Sequence, residues 1–574
     1  MSNSPSVVPP EPPSLQKRLP LALALMMLVL LASQYIFKPA PAPKPVAPET
    51  AKAPVALVQK PAAVPAAQPA AAHTAAASVG QIQASSVIDT YVDTDLYRIA
   101  FTNKGGVVKS WVLKKFKDDA GKPLELINTE ATNVPLPFSI EFTGQKPGFD
   151  PNTVLYQTKV SDGGNTIEYE YANGQTTIRK SFRFTKDSYL SKVQSVVLEN
   201  NNPLPHLLVW RGGFGDQKVF KAATTERTVH YDATVSKLIT KSVKDAKNGP
   251  FSETGNYTYG GLEDNFFAAV ALPADNTSLE IRTYSDDVKL PKEEKPVPYV
   301  GSGISTGPQN DVSLFVGPKD IDILRKVNPK LGSIIKWGFF GVIAKPLFLW
   351  LNWVSEHWTN NNYGWAIIVV TLIINIALFP LRISSLKSAR KMQKLQPQIK
   401  AINDKYKNIG MRDPKKAEQN QEVMALYKKE GVNPVGGCLP MLVQLPFLYA
   451  FYQVLGIAIE LRHAPWLWVT DLSAAETLPI HILPVVMVVT QFFSQKLTPA
   501  AGVDPNQQRM MMLMPLMFGF MFYGLSSGLV LYYLTGNLVG IAFQLIINRL
   551  MPTSAPAPAA APPAKAPVKR AAKK

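Results

Sequence analysis

The chain has 574 residues, a net charge of +18, 46% apolar residues and one cysteine, Cys438. A single cysteine excludes an intramolecular disulfide and a Cys-x-x-Cys redox motif, and the sequence contains no zinc-type cluster. The mean hydropathy of +0.01 is typical of a very apolar part averaged with a polar part. The positive charge favours an anionic membrane surface or nucleic acid as a partner.

The first apolar segment is residues 19–37, which follows Lys17 and Arg18. At ~1.5 Å per residue this helix nearly matches the ~30 Å hydrocarbon core, and the preceding positive charges predict a cytoplasmic N-terminus. The alternative is a signal peptide cleaved after the small residue Ala32. Because the apolar run continues past that point, we expect an uncleaved signal anchor.

Residues 38–80 are rich in proline and alanine, which predicts an extended linker. From there to about residue 320 the pattern changes to short alternating runs. The clearest is a hairpin from Thr166 to Phe184, whose two halves are joined by Asn173 and Gly174. Many short strands between turn residues predict a β-sandwich domain over 81–320. Other strand-like runs lie at 107–113, 191–198, 207–210 and 312–316.

The β domain carries no catalytic spacing, although Trp210-Arg211-Gly212-Gly213 has the residue types that line carbohydrate clefts. A tryptophan beside glycines is more often the buried end of a strand followed by a turn. A membrane-anchored carbohydrate enzyme would need paired acid and base residues, and it would leave the remaining apolar segments unexplained.

Residues 321–360 contain an apolar stretch that is too short to span a bilayer. Lys345 and Pro346 interrupt it, and Trp350, Trp353 and Trp358 flank it. Tryptophans with interspersed lysines are typical of an amphipathic helix in the membrane interface, so we place this segment on the outer surface.

Five further spans are predicted, which gives six with both termini cytoplasmic. The segment 382–435 contains thirteen Lys or Arg and five Asp or Glu, and by the positive-inside rule it is cytoplasmic. Its pattern predicts a helical hairpin, whose charge is either a solvated face or a surface for anionic headgroups or ribosomal RNA. The spans are 363–381, 438–459, 480–495, 510–525 and 529–550; the other segments are 1–18, a periplasmic loop 460–479, a cytoplasmic loop 496–509 and a basic cytoplasmic tail 551–574.

Polar residues interrupt these apolar segments, namely Asn375, Gln444, Thr490, Tyr532 and Tyr533. An unsatisfied polar group in hydrocarbon costs several kcal/mol, so such side chains face other helices or a wet cavity. A small-solute transporter or channel is one class that would use them. That class predicts repeated halves or paired charges, and the sequence contains neither.

Three motifs point to a specific family. They are Asn433-Pro-Val-Gly-Gly-Cys-Leu-Pro-Met-Leu-Val-Gln-Leu-Pro446, Phe379-Pro-Leu381 followed by Lys394-Leu-Gln-Pro397, and Ser527-Gly-Leu-Val-Leu-Tyr-Tyr533. Together they resemble the YidC family of membrane protein insertases over about residues 340–550. The anchor, linker and outer domain resemble its Gram-negative form, which has a periplasmic β-supersandwich similar to sugar-mutarotase folds.

This resemblance implies a multi-pass α-helical inner-membrane protein with six transmembrane helices, a five-helix insertase core and a large periplasmic all-β sandwich. The family is not enzymatic and uses no cofactor. Its core encloses a hydrophilic groove, open to the cytoplasm and to lipid, through which nascent membrane proteins are inserted. Implied partners are those nascent proteins, membrane lipids, the Sec translocon and, through the basic hairpin and tail, the ribosome.

The resemblance also implies roles for individual residues. In many members an arginine follows the groove-facing threonine by four positions, whereas this chain has Asn375 there, which predicts a groove that depends less on attracting acidic tails. Arg382 is about 10 Å further along a helix and is expected at the groove mouth. The groove residues are Thr371, Asn375, Gln444, Tyr532 and Tyr533; Met514, Met517 and Met521 are either core filler or a pliable surface for sliding substrate helices.

Overall fold

The computed structural model describes residues 80–217, 222–275, 277–291, 293–406, 415–432, 439–497 and 505–550, all within one compact unit. The predicted N-terminus, the signal anchor 19–37, almost all of the linker, the tail 551–574 and Cys438 lie outside these residues.

The outer domain consists of three antiparallel sheets. A four-stranded sheet has the order β1-β2-β3-β4, a ten-stranded sheet has the order β13-β12-β15-β16-β19-β9-β8-β7-β6 with β10 paired to β9, and a five-stranded sheet has the order β14-β17-β18-β11-β5. The strands are β1 Asp89–Asp93, β2 Tyr97–Thr102, β3 Val107–Lys117, β4 Pro123–Glu125, β5 Ser139–Phe142, β6 Gln157–Ser161, β7 Thr166–Ala172, β8 Thr176–Phe184, β9 Leu190–Glu199, β10 Asn202–Pro203, β11 His206–Trp210, β12 Arg227–Asp232, β13 Lys237–Lys241, β14 Phe251–Gly255, β15 Tyr257–Glu263, β16 Phe267–Pro273, β17 Leu279–Val288, β18 Val297–Ser305 and β19 Gln309–Pro318.

The predicted hairpin is confirmed as β7 and β8, which pair from Thr166 with Arg183 to Ala172 with Thr177. Its turn is closed by the Asn173 side chain, whose Oδ1 accepts a hydrogen bond of 2.7 Å from the Thr176 N–H. Gly174 takes a φ of +89°, a left-handed conformation that favours glycine. The local sequence therefore fixes this turn.

Trp210 ends β11 and is buried rather than available to a ligand. Its ring packs 5.3 Å from Phe214 and 6.1 Å from Trp111, inside the core between the sheets. Gly212 and Gly213 follow with φ of +80° and +107°. The prediction of a buried strand end followed by a turn is therefore confirmed. The Trp210 side chain is not available to line a carbohydrate cleft.

The helical part follows the sandwich. Its helices among the described residues are α1 Ile321–Val327, α2 Gly341–Trp358, α3 Tyr363–Ala377, α4 Phe379–Lys405, α5 Lys415–Lys429, α6 Leu439–Ile457, α7 Ile482–Leu497, α8 Pro505–Phe522 and α9 Ser527–Leu550. Only α9 is long and apolar enough by itself to cross a membrane within the described ranges, and α3 with α4 meets the criterion as a bent pair. Shorter apolar helices lie within α6, α7 and α8.

The span expected at 363–381 is broken. Helix α3 ends at Ala377 and α4 begins at Phe379, with a bend of 54° between them. Pro380 lies in the first turn of α4, where it cannot donate a backbone hydrogen bond and disfavours a helical conformation of the residue before it. The bend therefore redirects the chain at the end of the apolar segment.

Helix α2 packs one face against α3 and α6 and exposes the other. Leu347 and Leu351 are buried, whereas Val342, Trp353 and Trp358 are exposed. An exposed face of valine and tryptophan suits the boundary between lipid headgroups and acyl chains.

Helices α4 and α5 pack against each other within the basic segment. Leu395, Ile399 and Val432 form a small buried cluster, and the Gln419 side chain donates to Asn403 Oδ1 over 2.7 Å. The apolar residues at helical spacing therefore face the partner helix, and the basic residues are left toward the outside.

Candidate functional site

The helical bundle is closed at the end that faces the β domain. The Tyr532 ring of α9 stacks on Phe451 of α6, with ring centroids 4.1 Å apart. The α9 N-terminus is held by the loop before α7, because Ser527 and Gly528 donate their N–H groups to the carbonyls of Ala474 and Leu472 over 2.7 and 2.9 Å. Buried apolar side chains, among them Leu529, Val530 and Leu531, pack around this end of α9.

A polar cavity of about 370 Å³ lies further along the bundle, between α4, α6, α7, α8 and α9. Such a volume can hold several water molecules, and the eight polar or charged residues among the sixteen that line it supply the partners that buried water needs. The residues that line it are Arg382, Ser385, Leu386, Gln444, Leu445, Leu448, Gln491, Ser494, Met514, Phe518, Tyr533, Gly536, Asn537, Gly540, Phe543 and Gln544.

Arg382 supplies the one charged side chain of this lining. Its Nη2 lies 3.5 Å from Gln444 Oε1, and among the described residues no carboxylate forms a salt bridge with it. A Cβ on Gly540 would lie 2.8 Å from Arg382 Nη1, and one on Gly536 would lie 3.5 Å from Gln444 Nε2. Gly536 and Gly540, one turn apart on α9, thus leave space for the ends of the Gln444 and Arg382 side chains.

The polar residues of α9 continue along the same face of the helix. Tyr533, Asn537 and Gln544 recur at spacings of four and seven residues, which places them on one stripe. Asn548 extends the stripe and accepts a hydrogen bond of 2.6 Å from Arg390 Nη2. Polar groups therefore lead from the cavity toward the C-terminal end of α9.

The structure gathers some of the expected site residues and separates others. Gln444, Tyr533, Met514 and Arg382 line the cavity, and Arg382 lies within the lining rather than beyond it, because the bend before Phe379 turns α4 toward α9. Met517 is exposed, and Met521 is partly buried against the core.

Thr371, Asn375 and Tyr532 are not among the lining residues of this described cavity. Thr371 Oγ1 donates to the Ile367 carbonyl over 2.6 Å, and Asn375 Nδ2 donates to the Thr371 carbonyl over 2.8 Å. Short polar side chains in a helix satisfy themselves in this way on the preceding turn. The expectation that Thr371, Asn375 and Tyr532 face a substrate groove stays a prediction.

Sequence reasoning missed four polar residues that line the cavity, Gln491, Ser494, Asn537 and Gln544. Their signal was present, since the pairs 491/494 and 537/544 each fall on one helical face. These four residues stand out only when the polar residues of a helix are compared by the face that they share.

The closed end of the bundle is joined to the β domain by ion pairs. Arg462, in the loop after α6, pairs with Asp216, and both side chains are almost fully buried. Glu263 accepts from Lys319 Nζ at 3.0 Å and from Lys336 Nζ at 2.5 Å. The carbonyl of Lys336 accepts from Gln453 of α6 over 2.9 Å. Charged side chains of one part are thus satisfied by the other.

Two buried carboxyl groups of the β domain lie near this junction. Burial raises the pKa of Glu226 to about 8 and the pKa of Asp264 to about 6. Glu226 Oε1 accepts from Gln217 over 2.8 Å. No group of three or more His, Cys, Asp or Glu in the described chain is placed to hold a metal ion.

Two family models match the chain. One is described as the YidC periplasmic domain and matches residues 89–350; the other is described as 60Kd inner membrane protein and matches residues 353–554. Together they cover the β domain and the helical bundle.

Individual proteins are also similar. The membrane protein insertase YidC of Geotalea daltonii is 34% identical over 94% of this chain and 100% of its own, and that of Citrifermentans bemidjiense is 36% identical over 93% of this chain and 99% of its own. A crystal structure of an active YidC insertase with the first transmembrane domain resolved is 22% identical, with a TM-score of 0.34, over 81% of this chain and 94% of that one.

Proposed function

The chain belongs to the YidC family of membrane protein insertases, and from this premise we propose that its polar cavity is the place where a substrate enters the membrane. The protein is an insertase and not an enzyme, it acts on nascent membrane proteins in the inner membrane, and its β domain is periplasmic. The relatives give no support to a small-solute transporter.

The observation that carries the proposal is a polar cavity inside an otherwise apolar bundle. A polar tail that crosses hydrocarbon loses its hydration, and that loss is the main barrier to insertion. A cavity with water and polar walls shortens the hydrocarbon to be crossed. The membrane potential then supplies about 2.3 kcal/mol per charge per 100 mV.

Arg382 gives this cavity a preference for negative charge. It lines the cavity and has no carboxylate partner among the described residues. A cation in a poorly hydrated site attracts an acidic group more strongly than one in bulk water. Position 375 lacks the arginine of many relatives, which predicts a weaker dependence on acidic tails than in those relatives. We propose that Arg382 supplies the attraction for acidic tails that remains.

The substrate's apolar helix passes along α8. Met517, Leu513 and Phe520 are exposed on this helix, and Met514 borders the cavity. Methionine side chains are flexible and polarisable, so they fit helices of different shapes. Met514, Met517 and Met521 form the sliding surface in this proposal.

The proposed topology has six spans with both termini in the cytoplasm. The cavity residues of α6 and α7 then lie in the cytoplasmic half of each helix, whereas those of α9 extend from Tyr533 to Gln544 across the middle of that helix. To test this topology, Cys438 is replaced by Ser and single cysteines are introduced into the loops. The measurement is the side of the membrane from which each cysteine is labelled. Labelling of position 385–435 cysteines from the periplasmic side would contradict this topology.

Further partners follow from the basic hairpin. Helices α4 and α5 present lysines and arginines toward the cytoplasm in this topology, as would the tail at 551–574. We propose that they contact the ribosome and anionic headgroups. Cooperation with the Sec translocon is proposed on the family relationship alone.

The test is insertion by the purified full-length protein in lipid vesicles, with a short two-span substrate and protection from protease as the readout. Gln491→Trp fills the cavity and should abolish insertion. Val489→Trp, on the exposed side of the same helix, should insert as wild type does. Equal insertion by both variants would overturn the cavity as the route.

A further inference from the structure

Carboxamides dominate the polar lining of the cavity. Gln444, Gln491, Asn537 and Gln544 project from three different helices, and among the described residues the lining includes no carboxylate. A carboxamide carries one carbonyl acceptor and an NH₂ donor, which are the same hydrogen-bonding groups as those of a peptide unit. The cavity therefore offers donors and acceptors that match a protein main chain.

Gln544 Nε2 donates to the Leu497 carbonyl over 3.4 Å and to Asn548 Oδ1 over 3.2 Å, which leaves its carbonyl oxygen for an occupant, and two other carboxamides are less fully bonded. The Nδ2 atom of Asn537 is enclosed and has no hydrogen-bond partner among the described residues. Gln444 receives its hydrogen bond from Arg382 at 3.5 Å, the upper limit of such a contact. A buried donor without a partner is costly, so an occupant of the cavity that accepts a hydrogen bond would remove that cost.

The geometry suits an extended occupant. Asn537 and Gln544 are seven residues apart on one face of α9, about 10 Å at ~1.5 Å per residue. An extended chain covers that distance with roughly three residues at ~3.4 Å each. A helical segment would not do so, because its peptide groups already bond to one another.

We infer that the cavity carboxamides bind the main chain of the substrate's polar segment while that segment is extended. This inference rests on the proposed function of the cavity. Peptide groups occur in every sequence, so one cavity serves polar tails of unrelated composition. Arg382 then adds a preference for charge, whereas Gln491 and Asn537 recognise the peptide itself.

The test compares cavity variants across matched tails in the vesicle insertion assay. One two-span substrate carries, in turn, an acidic, a neutral and a basic tail of equal length, and a fourth neutral tail with proline at every second position. Proline has no N–H, so this tail offers the carboxamide oxygens fewer donors. The variants are Asn537→Leu and Gln491→Met, which keep the approximate size of each side chain and remove its amide.

Each variant should lower insertion of the acidic, neutral and basic tails by the same factor, about fivefold for one lost hydrogen bond. The wild type should insert the proline tail less efficiently than the other neutral tail. Gln491→Met should lower insertion of the proline tail by a smaller factor than insertion of the other tails. Thr490→Val is the matched control, since Thr490 Oγ1 bonds to Met487 of its own helix over 2.9 Å; it should change nothing.

A loss that depends on tail charge, or an unaffected proline tail, would overturn the inference. If Asn537→Leu fails to accumulate, Gln491→Met alone gives the same comparison. The Gln491→Trp variant separates the two proposals. If Gln491→Trp inserts the substrate normally, the cavity is not the route. If Gln491→Trp blocks insertion but the effect of Gln491→Met differs between acidic, neutral and basic tails, only the main-chain inference fails.

Discussion

Asn375 donates its side-chain amide to the carbonyl of Thr371, one turn earlier in α3, over 2.8 Å. That bond occupies the amide within its own helix and leaves it outside the cavity lining. We therefore expect Asn375→Leu to retain insertion of substrates with polar tails, because the Thr371 carbonyl keeps its main-chain partner. A severe loss in the vesicle assay would show that Asn375 acts on the substrate after all.

Arg382→Gln removes the charge of the cavity and keeps hydrogen-bonding capacity. Insertion of a substrate with an acidic tail should fall several-fold relative to the same substrate with a neutral tail, because the electrostatic attraction is lost. Arg382→Lys should restore part of the difference. The measurement is the ratio of the two insertion rates, and an unchanged ratio would contradict the role of Arg382.

Gly540→Ala places a methyl group 2.8 Å from the position of Arg382 Nη1. Because the obstructed atom is the end of a flexible side chain, the fold should tolerate the change and the guanidinium should move instead. We expect normal thermal unfolding with a reduced preference for acidic tails. Gly456→Ala is the control, since a Cβ there meets open space within the described structure.

The buried pair of Arg462 and Asp216 is expected to stabilise the junction between the β domain and the bundle. Arg462→Met removes the guanidinium from a buried carboxylate, a kind of change that costs up to about 3–5 kcal/mol. Thermal unfolding of the purified protein should show this loss of stability. The double variant Arg462→Met with Asp216→Leu should recover part of it. The exposed pair of Lys159 and Glu168 is the control, where Lys159→Met should have no measurable effect.

Glu226 predicts a pH dependence of stability. Its pKa is raised by burial to about 8, against about 4.3 in an unfolded chain. Between these values the folded protein binds a proton that the unfolded chain does not, so the stabilisation is present at low pH and is lost as pH rises through 8. Glu226→Gln should remove this loss. The measurement is the thermal unfolding midpoint of the wild type and of Glu226→Gln at pH 5.5 and 8.5. An equal change in midpoint between the two pH values in both proteins would refute the prediction.

The sequence predicted elements whose cause is local. The Asn173-Gly174 turn and the alternation in β7 and β8 lie within neighbouring residues, and the helices of the basic segment follow their own periodicity. The family motifs pointed to Gln444 and Tyr533, which line the cavity, and their role toward a substrate stays a prediction. These features need no knowledge of distant contacts.

The remaining features depend on how segments meet. The 54° bend before Phe379 brings Arg382 beside Gly540, a contact between residues 158 positions apart that no local pattern contains. Asn375 and Thr371 look alike in sequence whether they bond to their own helix or face a cavity. The buried pair of Asp216 and Arg462 likewise depends on the packing of the β domain against a loop of the bundle.

The stack of Tyr532 on Phe451 has a consequence for bioenergetics. It lies beside the loop that holds the α9 N-terminus, and neither Tyr532 nor Phe451 is among the residues that line the cavity. On the proposed route a substrate leaves the cavity sideways into lipid, and this stack stands between the cavity and the compartment on the side of the β domain. A route of that kind opens no continuous column of water across the membrane. The cell can add proteins to its membrane without dissipating the ion gradient that the same membrane stores.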